Sequence, residues 1–303
     1  MNHSLTASSP VSKRLSPRKM AFITGTLLLT STGFICRILG FFYRIFMSRT
    51  IGAEGLGIYN MVHPIFSICF AVCAGSIQTA LSQYVADNQT RGRAVFRTGL
   101  VIAMGMSFLL AWVIYGNAGF LAEKLLLEPR CAPYLPVMAV SVPFAALHAC
   151  INGYYYGMQK ARVPAFSQVA EQVIRMGAVF LIASIWLESG RQITVSLAVY
   201  GHLIGEMASA VFTVFCLGFF PPCKDGDSRR APAIPLSFGA TAAPLMALAL
   251  PLMGNRLILN VLGSAEAIWI PNRLMSSGLT NSEALSVYGV LTSICLLYTS
   301  PSP

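Results

Sequence analysis

Several arginines lie inside long apolar runs of the sequence, where a charged side chain needs a specific partner. Arg37 and Arg44 are seven residues apart, close to two helical turns, so they share one face of a helix. Arg256 directly follows Asn255 in a different apolar run. The guanidinium group carries fork-shaped donors that match phosphate oxygens. We therefore expect these four residues to line a cavity that binds an anionic group. For Arg44, extension of the side chain to lipid headgroups is the alternative.

Two acid–base pairs form a second set of candidate residues. Glu171 and Arg175 are four residues apart, as are His202 and Glu206, and this spacing brings the side chains of each pair together on one helical face. Each pair could act as a gate or as an ion-coupling site that changes partners between two states. The alternatives are a structural ion pair for the first and a hydrogen-bonded packing pair for the second.

Long apolar helices must carry these residues. Hydrophobic residues make up 55% of the 303 residues, charged residues only 11%, and the mean hydropathy is +0.65. A soluble domain has about 25% charged residues, and a membrane-spanning helix needs about 20 apolar residues. The composition predicts an all-α, multi-pass membrane protein and excludes a soluble enzyme, a disordered scaffold and a small disulfide-rich secreted protein. Eight spans are predicted, at residues 20–47, 57–85, 96–115, 135–157, 166–186, 195–220, 241–270 and 285–298.

The net charge of +10 comes mostly from basic residues in the short polar stretches between the apolar runs. In a soluble protein this charge would suggest a nucleic-acid partner, whereas here its distribution is typical of membrane topology signals. Most of these basic residues fall on the same side as the N-terminus, so a cytoplasmic N-terminus is predicted. The first span is expected to be an uncleaved helix, because its apolar run is too long for a signal peptide.

The sequence contains no motif typical of an enzyme or a metal site. It lacks a phosphate-binding Walker loop, a GxSxG elbow and an HExxH pair, and its eight cysteines include no CxxC pair. His63 and His148 each stand alone in an apolar run, which favours packing roles. The aromatic run at residues 153–157 is expected to anchor a helix at the membrane interface. We expect no catalytic site, metal or cofactor, and coupling to Na⁺, H⁺ or the membrane potential stays open.

One short sequence pattern occurs twice. Residues 54–59 are Glu-Gly-Leu-Gly-Ile-Tyr, and residues 283–288 are Glu-Ala-Leu-Ser-Val-Tyr. Both copies follow a span that carries an arginine, and they are six spans apart, so they would have the same orientation. This repeat favours two parallel lobes of six helices, a plan that recurs in transporters. The expected regions are a basic cytoplasmic tail (1–19), a complete six-helix N-lobe (20–220), a cytoplasmic linker (221–239) and the start of a truncated C-lobe (240–303), whose residues 293–303 resemble translated sequencing-adapter sequence.

The first span and several later segments carry a family resemblance. Residues 33–44 are similar to the first-helix signature of lipid II flippases, in which Ser-Arg is followed by Gly-Phe and a second Arg; Cys36 replaces the usual Ser. Further segments resemble the stage V sporulation protein B group more closely: residues 55–59, 75–79, 152–160 and 168–175, Leu250-Pro251 and Asn255-Arg256. The chain thus resembles the polysaccharide-transporter branch of the multidrug/oligosaccharidyl-lipid/polysaccharide exporter superfamily, which includes the MATE-type exporters.

The resemblance implies a two-lobed flippase in the bacterial cytoplasmic membrane. Such proteins move undecaprenyl-diphosphate-linked saccharides, either lipid II-like precursors or polysaccharide repeat units, by alternating access, and the sporulation branch serves spore cortex peptidoglycan. It also implies that Arg37, Arg44 and Arg256 contact the lipid diphosphate. The expected partners are this lipid-linked saccharide, the bilayer and cell-wall synthesis enzymes. Most of the second lobe is absent from the chain, which puts the activity of the chain by itself in doubt.

Two other functions stay open on the sequence. A cation-coupled multidrug exporter of the same superfamily would bind cationic drugs, so acidic residues should dominate its cavity, whereas here the arginines in the spans match or outnumber the acids. A non-transporting scaffold for wall synthesis would need no arginine in mid-membrane. A membrane glycosyltransferase is less favoured, because the longest internal polar loop (221–235) is short. The flippase is therefore the leading hypothesis.

Overall fold

Helices form the described part of the chain. The computed structural model describes residues 17–222 and 238–292, and every regular element within these stretches is helical. Three predicted features lie wholly or partly outside the described residues: the basic tail up to residue 16, most of the linker (223–237), and residues 293–303 with the end of the eighth span. The prediction of an all-α, multi-pass membrane protein is confirmed.

The first helix, α1 (Pro17–Phe70), bends at Gly52. The φ of Gly52 is 76° and its ψ is 170°, a conformation that glycine adopts at little cost. The apolar stretch continues through a π-helical turn (Ala71–Gly75) and α2 (Ser76–Asp87). From Ile23 to Asp87 it is 65 residues long, about three times the length that one crossing needs. No loop separates the first two predicted spans, because one glycine makes the turn.

The remaining helices are joined mainly by short connections. Six helical stretches are long and apolar enough to cross a membrane, and the first of them is long enough to cross twice, so each of the first seven predicted spans has a helix. The helices after α2 are α3 (Gly92–Gly116), α4 (Ala118–Phe120), α5 (Leu135–Gly157), α6 (Arg162–Glu188), α7 (Ser196–Phe219), α8 (Phe238–Ser276) and α9 (Asn281–Val290).

The two halves of α1 run in opposite directions. Before the bend, α1 runs beside α6: Gly25 faces Ala161 just ahead of α6, and the Phe46 and Phe180 rings are 4.2 Å apart. After the bend, Glu54 bonds Arg130 in the loop ahead of α5, and α2 runs along α5. Because α5 and α6 are joined by a short turn and are antiparallel, the chain reverses between the halves of α1.

Two glycines let α2 pack closely on α5. A Cβ atom at Gly153 would lie 2.7 Å from the carbonyl oxygen of Gln78, and one at Gly157 would lie 2.8 Å from that of Ser82. These glycines are four residues apart and form a small-xxx-small stripe, which brings helix backbones together in membranes. Much of the core of the bundle is therefore built around α5, which contacts α2, α3 and α7.

The tyrosines between these glycines are buried rather than interfacial. Tyr154 and Tyr155 are only 2% and 1% exposed. The Tyr155 hydroxyl bonds the carbonyl oxygens of Cys216 and Phe220 at 2.9 and 2.8 Å, at the end of α7 where helical carbonyls need donors. The predicted interfacial anchor is therefore wrong for these two side chains, because Tyr155 holds α7 against α5 and the Tyr154 ring stacks on Phe96 of α3.

The helix α8 is longer than predicted. It runs unbroken for 39 residues where a kinked span or an interfacial turn was expected at residues 241–270. Pro244, Pro251 and Pro271 lie within it, and membrane helices tolerate proline because neighbouring groups satisfy the freed carbonyls. Near its beginning, Leu245 is fully buried and packs beside Gly99 of α3.

The helix α9 brings the second copy of the repeated pattern against the first. It begins at a capping box in which the Thr280 backbone N–H donates to Glu283 at 2.9 Å. The Leu285 carbonyl of α9 packs directly on Gly57 of α1, and Gly289 packs on the α1 backbone one turn away. Side chains at either glycine would separate the helices, so the two copies meet through backbone contacts.

Candidate functional site

Five polar side chains from three helices meet inside the bundle. We call them the buried ion cluster: His148 of α5, Glu171 and Arg175 of α6, and His202 and Glu206 of α7. The Glu206 Oε2 atom lies 2.8 Å from His148 Nε2. Its Oε1 atom lies 3.7 Å from Arg175 Nη2 and 3.9 Å from His202 Nε2, and Arg175 also pairs with Glu171. Glu206 thus joins the two pairs that the sequence spacing suggested.

Close packing of α6 on α7 makes this arrangement possible. A Cβ atom at Gly205 would lie 2.7 Å from Arg175 Nε, so the absence of a side chain there lets Arg175 lie against α7. Farther along the same interface, the buried hydroxyls of Ser167 and Ser209 are 2.8 Å apart. Two contacts therefore fix the register of α6 against α7. One is the hydrogen bond between Ser167 and Ser209 beside the cluster, and the other is the ion pair between Arg175 and Glu206 within the cluster.

Aromatic rings of α1 close one side of the cluster. The Phe66 ring centroid lies 4.4 Å from that of His202, and the His63 ring lies 5.8 Å away. His63 Nδ1 is 3.2 Å from the Ser67 hydroxyl, which agrees with the packing role expected for His63. His202 is 3% exposed, so the cluster lies in an apolar setting where unpaired charge is costly.

His148 is the member that the sequence analysis did not place in the cluster. It was expected to be a packing residue, but the structure pairs it with Glu206 of another helix. No acidic residue lies within four positions of His148 in the sequence, so local spacing gave no signal. The partner follows only from the packing of α5 on α7.

The cluster can hold a cation or exchange partners. The ligand atoms of His148, Glu171 and Glu206 all lie within 4.8 Å of one another, a spacing that suits a metal ion, although the Arg175 guanidinium already occupies one carboxylate. Among the described residues, three buried nitrogens have no hydrogen-bond partner: His148 Nδ1, Arg175 Nε and His202 Nε2. Buried polar atoms without partners are uncommon. Here the three nitrogens lie beside other polar groups of the cluster, with which they could form hydrogen bonds after a rearrangement.

Arg37 and Arg44 lie on α1 before its bend, and both side chains are exposed. Arg44 is within electrostatic range of Tyr59 and His63, so it lies next to the side of the cluster that α1 closes. Cys36 is likewise within range of the Glu171–Arg175 pair. This part of α1 therefore places Arg44 beside the buried ion cluster.

Arg256 lies elsewhere, where α8 packs on α2. Its Nη2 atom donates to the Thr79 hydroxyl at 3.1 Å, and its side chain is half-buried. The neighbouring Asn255 is exposed. The structure thus positions the four predicted substrate-binding residues on α1 and α8, and the common anion-binding cavity stays a prediction.

A second polar network lies at the far end of the bundle, where α5 begins. We call Glu54, Glu128, Arg130 and Asn281 the loop network. Arg130 Nη1 lies 2.6 Å from Glu54 Oε1, and its Nε lies 2.7 Å from Glu128 Oε1. Asn281 at the start of α9 donates to the other oxygen of Glu128 at 2.8 Å. The network connects α1, the loop before α5 and α9.

Partial burial and hydrogen bonds together set the pKa values of the charged groups in the loop network. Burial alone would raise the pKa of Glu128, but the hydrogen bonds from Arg130 and Asn281 outweigh it and hold that pKa below its ordinary value. The same contact with Glu128 raises the pKa of Arg130. This network was not predicted from the sequence, because Glu54 and Asn281 lie far along the chain from Glu128 and Arg130.

The chain is similar to several known proteins. A family model described as polysaccharide biosynthesis protein matches residues 22–297. Stage V sporulation protein B of Bacillus subtilis (strain 168) is 30% identical over 291 residues, which cover 94% of this chain and 56% of that protein. Sporulation protein YkvU of the same organism is 18% identical over 276 residues, covering 91% of this chain and 60% of the relative.

A third relative carries a functional name. Lipid II flippase MurJ of Bacillus subtilis (strain 168) is 23% identical over 206 residues, which cover 62% of this chain and 38% of that protein. The chain spans about half the length of the curated relatives that it matches. The family match, in contrast, includes nearly all described residues, from the first turns of α1 through α9.

Proposed function

Because the chain belongs to the polysaccharide biosynthesis protein family, we propose that it is part of a flippase for a lipid-linked saccharide precursor. The name of the relative MurJ supports this class of substrate. The proposed cargo is an undecaprenyl-diphosphate-linked saccharide, and the proposed location is the bacterial cytoplasmic membrane with the N-terminus in the cytoplasm. The two sporulation relatives suggest a narrower role in spore cortex peptidoglycan. The protein would thus be a transporter rather than an enzyme.

The exposed arginines of α1 are the observation that carries the proposal. Arg37 and Arg44 lie within an apolar helix, and both side chains are exposed. A charged side chain in mid-membrane costs at least about 2.5–3.5 kcal/mol, so exposed arginines on this face favour a nearby anionic group. A diphosphate headgroup in a cavity would be such a group, while the polyprenyl tail of the substrate remained in lipid.

The buried acids favour an anionic cargo over a cationic drug. Glu171 is paired with Arg175, and Glu206 is paired with His148. A cationic substrate would have to displace these partners, whereas the arginines of α1 are exposed. The multidrug exporter is therefore the less favoured alternative for this chain.

Alternating access would use the contacts between the six-helix unit and the two helices that follow it. In the structure, α8 contacts α2 through Arg256 and Thr79, and α9 contacts α1 and the loop network. A rocking motion would break either the contact between α8 and α2 or the contacts of α9 with α1 and the loop network, and it would keep the other. Coupling would come from an ion or the membrane potential, without a bound cofactor.

The test is performed in the longest reading frame that contains this sequence. Cells depleted of the protein are labelled for lipid II at the outer face of the membrane, and wild-type, Arg37→Ala, Arg44→Ala or Arg191→Ala protein is supplied. Arg191 is the matched control, since it is an exposed arginine outside the helices. We expect depletion to lower outer-face lipid II at least tenfold, and only the two α1 variants to fail to restore it.

Other outcomes separate the alternatives. Unchanged labelling on depletion would exclude lipid II as the required cargo. If labelling falls but both α1 variants restore it fully, the cationic cavity is wrong and a scaffold that recruits the true flippase is favoured. Protein levels in the membrane are measured for each variant, so that loss of folding is not mistaken for loss of transport.

A further inference from the structure

The buried ion cluster has one more negative than positive charge when its histidines are neutral. Glu171 and Glu206 contribute two carboxylates, and Arg175 contributes one guanidinium group. Glu206 is 5% exposed and its neighbour His202 is 3% exposed. Buried charges are normally paired, because an uncompensated charge in an apolar setting is strongly disfavoured. One additional positive charge would balance the cluster.

His148 is placed to supply that charge. It is 9% exposed, and its Nε2 atom lies 2.8 Å from Glu206 Oε2, the shortest approach of either histidine of the cluster to a carboxylate. We propose that His148 and Glu206 share one exchangeable proton, and that the presence of this proton decides which carboxylate pairs with Arg175. Nothing but H⁺ enters or leaves the site, and it moves between the imidazole and water.

The charge balance also depends on the other titratable groups around the cluster, and none of those on α1 removes the excess negative charge. The thiol and the two phenols on α1 are neutral, and Arg44 is exposed rather than buried in the cluster. His63 bonds a serine hydroxyl. The titratable and charged groups around the site are Cys36, Tyr43, Arg44, Tyr59 and His63 of α1, His148 of α5, Glu171 and Arg175 of α6, and His202 and Glu206 of α7.

The geometry provides for a second arrangement. With the proton present, His148 pairs with Glu206 and Arg175 pairs with Glu171, as the structure shows. When the proton leaves, Glu206 loses its charged partner, and the guanidinium 3.7 Å away becomes its nearest cation. Arg175 Nε has no hydrogen-bond partner within the described residues, and it packs against the bare backbone at Gly205. Its exchange would shift α6 relative to α7.

A proton fits this site better than a metal ion. A metal would use His148, Glu171 and Glu206 as ligands, but the Arg175 guanidinium is bonded to Glu171 and would repel the ion. One proton supplies the missing charge without displacing Arg175. The role of this proton in driving transport rests on the proposed function, whereas its binding to the cluster does not.

The experiment measures the protonation of His148 directly. The protein is labelled with ¹⁵N-histidine and studied by NMR in lipid nanodiscs at pH 7, where the chain has only four histidines to assign, and His148→Gln identifies the signal. We expect the wild-type ring to be an imidazolium. Either Glu206→Gln or Glu171→Gln should make it neutral, because each removes the excess negative charge. Glu188→Gln, an exposed glutamate at the end of α6, is the matched control and should change nothing.

Each alternative gives a different spectrum. A neutral His148 in the wild type overturns the proposal, and if micromolar Zn²⁺ or millimolar Na⁺ then shifts its signal, the cluster is a metal site. An imidazolium that persists in both Gln variants also overturns it. The two variants act on different helices, so failure of one to fold leaves the other as the test. Flipping is measured separately, so an inactive protein with the expected spectrum refutes the transport function and leaves the proton site.

Discussion

The Nη2 atom of Arg256 lies 3.1 Å from the hydroxyl oxygen of Thr79 and thereby joins α8 to α2. A hydrogen bond from a charged group is stronger than one between neutral groups. The contact links α2 to the first helix described after residue 222, and it involves one of the residues predicted to contact substrate. Its two roles, in packing and in binding, can be separated by substitution.

Removing this bond should lower the stability of the protein, and the effects of removing its two partners should not add. We expect Arg256→Ala or Thr79→Val to reduce the free energy of unfolding by about 1–3 kcal/mol, and the double variant to cost little more than Arg256→Ala, because both remove the same bond. Unfolding in mixed micelles, followed by tryptophan fluorescence, measures this. Arg273→Ala is the control: Arg273 is exposed at the end of α8 over the Trp269 ring. Fully additive losses would show that the bond contributes nothing.

A methyl group at Gly205 should disturb the buried ion cluster. Its Cβ would lie 2.7 Å from Arg175 Nε, so Gly205→Ala is expected to cost about 1–3 kcal/mol through overpacking. Gly218→Ala is the matched control on the same helix, since no atom lies within 4 Å of its added Cβ. That control should be neutral or slightly stabilising, because alanine favours helix. Equal effects of the two variants in a denaturation series would contradict the packing of Arg175 on α7.

Loss of the central cation should be partly rescued by loss of an acid. Arg175→Met leaves the buried Glu206 and the partly buried Glu171 with one fewer partner, and we expect a cost of about 3–5 kcal/mol, typical of a broken buried pair. Adding Glu171→Gln should recover at least about 1 kcal/mol of that loss, since coupled residues are not additive. Arg191→Met, in an exposed turn, should have little effect. A double variant that is less stable than Arg175→Met would argue against the pairing.

The loop network should stabilise the protein only above acidic pH. The pKa of Glu128 is lower in the folded protein than its ordinary value, which is about 4.3 for glutamate. Its contribution is therefore fully present above that value and is lost as the pH falls through the folded pKa. Glu128→Gln should be less stable than wild type at pH 7, and the difference should vanish on acidification. Glu188→Gln, at an exposed glutamate on the end of α6, is measured alongside as the control, and a pH-independent difference for Glu128→Gln would contradict the prediction.

Composition and length were enough to predict the helices. The long apolar runs can satisfy their backbone groups in a membrane only as helices, so seven spans were located close to their observed positions. A break between the first two spans was predicted at residues 48–56, and the bend at Gly52 lies within it. The polar residues there located the break, but they could not show that helix continues up to the bend on both sides. The length of α8 was underestimated, because its ends are less apolar than its middle.

The candidate site could be predicted only where its contacts are local. Spacing by four residues brought Glu171 to Arg175 and His202 to Glu206, since one helix contains both members of each pair. The contact between His148 and Glu206 joins residues 58 positions apart, and the bond between Asn281 and Glu128 joins residues 153 positions apart. Such contacts depend on which helices pack together and on how their faces are aligned. The spacing of residues within a single helix does not determine either.

The meeting of the two repeated segments has an evolutionary consequence. The first copy packs on the second through Gly57 and Leu285, with backbones touching. A surface that fits its own repeat is the surface on which two identical ancestral chains would associate around a two-fold axis. Duplication and fusion of one gene would then convert an intermolecular contact into an internal hinge. Each copy could thereafter diverge, and the corresponding positions 57 and 286 now hold glycine and serine.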